Sequence, residues 1–193
     1  MLLATGPLVD RLRTEEREPQ GETRMTLPMD RNNLQMFHIN VNCSNLDRSV
    51  AFYKALGFKV INDFSMDEPA DGRDRTIGER TPGLAEILGV DPTARMRAAF
   101  LRLGDDARAT ILDLIEWIEP KPGGAPAHMT QMGMARLCFR VKDCDGAYQA
   151  AVAAGAECFT APTMLAMGGT RQKVFCCYDP DRTILEFQEF QKP

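Results

Sequence analysis

Polar and apolar residues begin to alternate near Gln35, and this alternation is the first ordered signal in the chain. In MFHINVNC, Phe37, Ile39 and Val41 fall on one face, and His38, Asn40 and Asn42 on the other. A period of two is that of a strand with one buried face. The period then changes. Ser44 to Asp47 offers side-chain oxygens for the open N–H groups of a helix start, and SVAFYKAL carries apolar residues at helical spacing. Gly57 stands where a helix end favours a left-handed residue, and FKVINDF returns to strand character. Residues 65–95 are rich in charge, Gly and Pro, and TPGLAEILGV predicts one short helix there. RAAFLRL and ATILDLIEWI read as two strands turned around GDD. The order is strand, helix and three strands, with the polar segment inserted before the last two.

The same order then recurs. Residues 119–132, EPKPGGAPAHMTQM, hold Pro and Gly turns and no apolar period, which predicts a linker. LCFRV reads as a strand, DGAYQAAVAA as a helix and ECFTAP as a strand. KVFCCYD and TILEFQEF follow, joined at a DPD turn. Asp47 and Asp145 lie 98 positions apart, as do Gly57 and Gly155. TILDLIEW and TILEFQEF lie 73 apart. On these registers His38 falls on Arg136, and Asp113 falls on Glu186. A strand, a helix cap, a glycine and a final strand kept in order mark an internal repeat. The expected architecture is α+β: two tandem βαβββ modules forming curled mixed sheets around a cavity, at residues 35–118 and 133–193. A flexible tail is expected over residues 1–34, where charges alternate with Pro, Gly and Thr.

Composition narrows the partners. At 193 residues and 44% hydrophobic, the chain can bury a core as one domain or two small ones. Its net charge is −4 and no basic run stands out, which argues against nucleic acid or an anionic membrane surface as a partner. The longest apolar runs are too short to span a bilayer. MLLATGPLVDRLRTEE has no cationic start and early acidic residues, so it is not the pattern of a secretion signal. Six Cys occur without CxxC spacing, which fits reduced thiols in a cytoplasm better than structural zinc or a disulfide framework. Adjacent Cys176 and Cys177 on a strand point to opposite faces.

Three segments together, HINVNCSNLDRSVAFYKALGF, TILD and DPDRTILEF with its TILE strand, resemble the vicinal oxygen chelate superfamily. That group includes glyoxalase I, extradiol dioxygenases, methylmalonyl-CoA epimerase and the fosfomycin and bleomycin resistance proteins. The resemblance covers residues 36–190, with Arg182 where the DPDG ending usually has Gly. It implies a small-molecule substrate, a homodimer in some members, and a divalent transition metal (Zn, Mn, Ni, Co or Fe) held by His38, Asp113 and Glu186. It further implies lyase or isomerase chemistry on a small oxygenated molecule, with Glu186 as base. Strand alternation agrees with the mapping: Asp113 shares a face with Ile111 and Ile115 while Glu116 lies opposite, and Glu186 shares a face with Gln188 while Glu189 lies opposite.

Arg136 departs from the pattern. A guanidinium keeps its charge and cannot ligate a cation. It can pair with Asp113 or Glu186, or grip a substrate carboxylate or phosphate with a two-pronged contact. The two-His-one-carboxylate set of extradiol dioxygenases is absent at the mapped positions. His128, a spare imidazole in the linker, is a further substrate-binding candidate if the linker folds back over the cavity. Three readings stand: a metal-assisted lyase or isomerase at His38, Asp113 and Glu186; a non-catalytic binding protein of the resistance type; and a metal-free enzyme with Arg136 as anion clamp and Glu186 as base.

Overall fold

The computed structural model describes residues 36–64, 75–126 and 128–191, so the tail expected over residues 1–34 lies outside the described residues. Residues from Met36 onward form one compact unit. The first module contains β1 (His38–Asn42), α1 (Leu46–Ala55), β2 (Phe58–Asp63), α2 (Ile77–Arg80), α3 (Leu84–Leu88), β3 (Arg95–Leu103) and β4 (Ile111–Glu119). The second contains β5 (Leu137–Arg140), α4 (Cys144–Ala153), β6 (Glu157–Cys158), β7 (Thr163–Met167), β8 (Thr170–Tyr178) and β9 (Ile184–Phe190). The sheets run β1-β4-β3-β2 and β5-β9-β8-β6, with β7 also on β8. In each, the first strand lies parallel beside the last, at an edge of the sheet.

The repeat reaches individual side chains. Asn45 and Asp143, 98 positions apart, cap α1 and α4 by accepting from the N–H of Arg48 and of Gly146. Each helix start has a second cap from the last strand of its module. Glu116 Oε2 accepts from the Leu46 N–H at 3.0 Å, and Glu189 Oε2 accepts from the Cys144 N–H at 2.8 Å. A carboxylate at that end also opposes the positive pole of the helix. Asp47 and Asp145, the matched acids of the first turn, pair with Arg97 and Lys173 on the neighbouring strands. Gly57 and Gly155 leave the two helices at φ +94° and +85°.

Alternation then sorts the sheet faces. Leu112 and Leu114 of β4, and Leu185 and Phe187 of β9, join Leu46, Phe52, Tyr53, Cys144 and Ala151 of the helices in one continuous core. The modules thus share their core on the helix side. Phe58 and Phe139 meet across it with ring centroids 5.5 Å apart. Tyr53 donates its buried hydroxyl to Asp179 at 2.9 Å, and Asp179 also accepts from the N–H groups of Asp181 and Thr183. Arg48 pairs with Asp181 at 2.8 Å. These contacts fasten α1 of the first module to the DPD turn of the second. Within that turn Arg182 takes φ +72°, the conformation that explains the usual glycine. Its guanidinium lies 3.8 Å from the Tyr178 ring centroid and pairs with Glu157 at 2.9 Å, so side-chain contacts offset the backbone strain.

Two local features differ from the sequence reading. ECFTAP is not one strand: β6 stops at Cys158 and β7 begins at Thr163. Between the pairs Cys158–Cys177 and Thr163–Val174 the first strand advances five residues and β8 three, so an outward loop carrying Pro162 interrupts the ladder. The inserted segment also forms α2 besides the expected α3, capped by Thr76 and Glu79 in a reciprocal box. Ile77, Ala85 and Ala94 build a small core of its own against Trp117. Among the described residues no helix is long and apolar enough to cross a membrane.

The matched glycines give a paired test. A Cβ at Gly57 would come no closer than 3.9 Å to another atom, and one at Gly155 would meet nothing within 4 Å. Gly57→Ala and Gly155→Ala are therefore expected to cost about 1–2 kcal/mol each, from the backbone alone. Urea denaturation of both variants checks the magnitude and its equality.

Candidate functional site

The face of each sheet that the core does not use carries the mapped residues. On the first sheet, Asp113 is flanked across the strands by Asn40 of β1 and Phe100 of β3. Asn40 Nδ2 donates to Asp113 Oδ2 at 2.8 Å, while Oδ1 is buried without a partner among the described residues. His38 is exposed at the strand edge, its ring 5.1 Å from Phe37 and 5.8 Å from Phe100. Burial pushes the Asp113 carboxyl up to about 6, against the opposing pull of His38 and the Asn40 hydrogen bond.

On the second sheet the equivalent row is Cys138, Glu186 and Cys176. Arg136 Nε donates to Glu186 Oε2 at 2.5 Å, and Gln188 Nε2 donates to Oε1 at 3.0 Å. Burial alone would raise the Glu186 carboxyl. The hydrogen bonds from Arg136 and Gln188 outweigh it and hold the group below its ordinary value. The two rows are chemically opposite: one has a carboxyl short of partners, the other a carboxylate saturated by them.

A pocket of about 400 Å³ opens between the two first strands. Asn40, Asn42 and Ser44 line it from β1 and the turn after it, Arg136 and Thr183 from the second module, and Gly123–Pro126 from the linker. The linker does fold back, as the His128 expectation required. His128 itself is not among the lining residues; it is exposed, and its N–H donates to Gln131 Oε1 at 2.6 Å. The neighbouring Met129 instead receives Arg136 Nη1 on its sulfur at 3.5 Å. Asn42 Oδ1 accepts from Trp117 Nε1 at 3.1 Å. Asn40, Phe100, Cys138 and Cys176 do not stand out in the sequence. Asn40 shares the face of His38 in the alternation, but its bond to Asp113 depends on the parallel register of β1 and β4.

The architecture is that of a two-module α+β protein whose sheets present one polar face each. The model of the Glyoxalase/Bleomycin resistance protein/Dioxygenase superfamily matches residues 35–187, and the chain belongs to that superfamily. Among solved structures it is similar to a glyoxalase family protein from Bacillus cereus, at 14% identity and TM-score 0.63, covering 82% of this chain and 95% of that one. It is also similar to a glyoxalase family protein from Enterococcus faecalis (19%, TM-score 0.53, 82% and 99% covered). A third similar structure is the trypanothione-dependent glyoxalase I of Leishmania major (17%, TM-score 0.51, 81% and 86% covered). At these identities the likeness concerns the fold. No curated protein matches the chain.

Members of the superfamily typically use a divalent metal. His38 and the unpartnered Asp113 Oδ1 supply two donors of the right chemistry. Glu186 does not complete the set, because both its oxygens are taken and a guanidinium stands beside it. Among the described residues no three His, Cys, Asp or Glu side chains gather closely enough to hold an ion. The residues present therefore do not fit a metal shared by His38, Asp113 and Glu186.

Two measurements follow. Protein incubated with Zn²⁺, Mn²⁺, Ni²⁺ or Fe²⁺ and desalted is expected to hold well under one ion per chain by plasma mass spectrometry, with Arg136→His raising the occupancy. A full equivalent in wild type, lost in His38→Ala, would contradict the fit. The second concerns pH. The Asp113 carboxyl titrates at 3.8 in the unfolded chain and at about 6 in the folded one, so the folded protein holds the extra proton between those values. The stability this group contributes falls as pH rises through that window. Asp113→Asn is therefore expected to gain stability relative to wild type across that window and to keep the advantage above it, as read by thermal melts across pH.

Proposed function

We propose that this chain binds a small carboxylate- or phosphate-bearing molecule, with Arg136 as an anion clamp where relatives carry a metal ligand. The observation that carries the reading is the division of the Arg136 guanidinium. Its Nε is committed to Glu186, which fixes the plane, while the group lines the pocket and its Nη2 has no oxygen partner among the described residues. A planar fork held in this way matches the paired oxygens of a carboxylate or phosphate. Asn40 Oδ1, Asn42 Nδ2 and the Thr183 hydroxyl offer further hydrogen bonds to an oxygenated ligand along the same wall.

One observation favours catalysis over sequestration. Asp113 is hydrogen-bonded to the pocket-lining Asn40 and burial raises its carboxyl to about 6; it stands behind the pocket wall, its second oxygen buried. A carboxyl with that titration point suits general acid–base work, the kind of step that lyases and isomerases of hydroxy or oxo acids require, with Asn40 as its link to the pocket. Glu186, held ionised by Arg136, is the weaker base, and in this reading its work is to aim the guanidinium. Six unpaired thiols fit a reducing compartment such as a cytoplasm.

Calorimetric titration with malonate and with inorganic phosphate tests the clamp. Arg136→Met is expected to weaken binding about tenfold to a hundredfold, the range for a hydrogen bond to a charged group. Glu186→Gln is expected to tighten it by removing the competing negative charge. Equal affinity of wild type and Arg136→Met for both anions would sink the proposal.

A further inference from the structure

Cys158 and Cys177 lie outside the pocket and are direct partners across β6 and β8. Their position in the ladder decides their geometry. The next pair is hydrogen-bonded, Phe159 N–H donating to the Cys176 carbonyl at 2.9 Å. Alternation therefore makes Cys158–Cys177 a non-hydrogen-bonded pair, with Cα atoms about 4.5 Å apart and side chains at their closest. A disulfide takes Cα separations of about 4.4–6.8 Å. Both thiols face the core, and the Cys158 thiol donates to the Ala156 carbonyl at 4.0 Å; Cys177 is fully buried and Cys158 partly exposed. The other thiols lack such a mate. Cys176 points to the opposite face, and β9 stands between it and Cys138, about 10 Å away at two strand spacings. Cys43 sits beside Ser49, and Cys144 faces the Phe187 carbonyl.

We propose that Cys158 and Cys177 are a dithiol that a peroxide closes to a disulfide. The Cys158 sulfur attacks a peroxide oxygen, the O–O bond breaks, and Cys158 sulfenic acid and one water result. The Cys177 sulfur then attacks the Cys158 sulfur. The S–S bond forms, the S–O bond breaks, and the hydroxide leaves with the Cys177 proton as a second water. Two thiols and one hydrogen peroxide become one disulfide and two waters, and the two sulfurs supply the two electrons that the peroxide takes. Burial raises both thiols above their ordinary range, so the dithiol persists under reducing conditions and closes slowly. The bond would bind the two-residue β6 to β8 directly behind the row that holds Glu186, ahead of the interruption at Pro162.

The test uses the full chain, reduced, exposed to hydrogen peroxide and then alkylated. Mass spectrometry is expected to find a reductant-sensitive cross-link between the peptides of Cys158 and Cys177, with the other four thiols alkylated. The oxidised protein should melt several degrees higher, reversibly with dithiothreitol, because the bond shortens the unfolded chain. Cys158→Ser should lose the cross-link and the shift while melting like reduced wild type, which separates chemistry from misfolding. Oxidation of Cys138 alone, with Cys158 and Cys177 still alkylated, would overturn the proposal, as would a cross-link between any other pair. The outcome is independent of the anion-clamp reading.

Discussion

The two-residue period of β4 and β9 is the constraint from which the rest follows. Leu112 and Leu114, and Leu185 and Phe187, are committed to a core that both modules share. Asp113 and Glu186 stand between them in sequence and are therefore turned to the other face. A shift of one residue in either strand would bury a carboxylate among the helices and expose two core side chains. The neighbours Glu116 and Glu189, on the core side, are tolerated because each caps a helix start instead of entering the apolar region. Position on the strand thus gives each acid a distinct role, with one acid per module on the polar face and one at the helix.

Electrostatics then divides the two polar faces. Both carboxyl groups are raised by burial, but only Glu186 has a cation close enough to reverse the effect. The Arg136 side chain is 44% exposed, so the ion pair contributes at most about 1 kcal/mol to stability. Its importance lies in geometry. A fixed guanidinium charge repels cations, and the hydrogen bond to Glu186 fixes its plane beside the pocket, as the proposed clamp requires. The first module has no such cation in the mapped position, and Asp113 is left to titrate near neutrality.

Much of this was legible in the residues. The helix caps, the paired glycines and the faces of Asp113, Glu116, Glu186 and Glu189 follow from local periods that tertiary packing does not disturb. The interruption at Pro162 and the capping box of Thr76 and Glu79 carry local signals too, but a short helix and a broken strand are hard to tell from loop by period alone. The pocket is different in kind. That Asn40 bonds Asp113, that the linker lines the same pocket as Arg136, and that His128 stays outside depend on strand register and chain reversal, which no short window encodes. Arg182 shows the reverse case: a residue against the motif at φ +72°, accommodated by the Tyr178 ring beside the turn and by the Glu157 carboxylate of β6.

The central claim is that the Arg136 guanidinium, steadied by Glu186, meets an anion at the position where a metal would otherwise sit. The most direct measurement is the NMR resonance of the Arg136 Nε–H, assigned with Arg136→Lys, followed in parallel titrations with malonate and with Zn²⁺. The expected result is a saturable shift with malonate and none with Zn²⁺. A Zn²⁺-dependent loss of the Glu186 hydrogen bond, with no response to malonate, would contradict it.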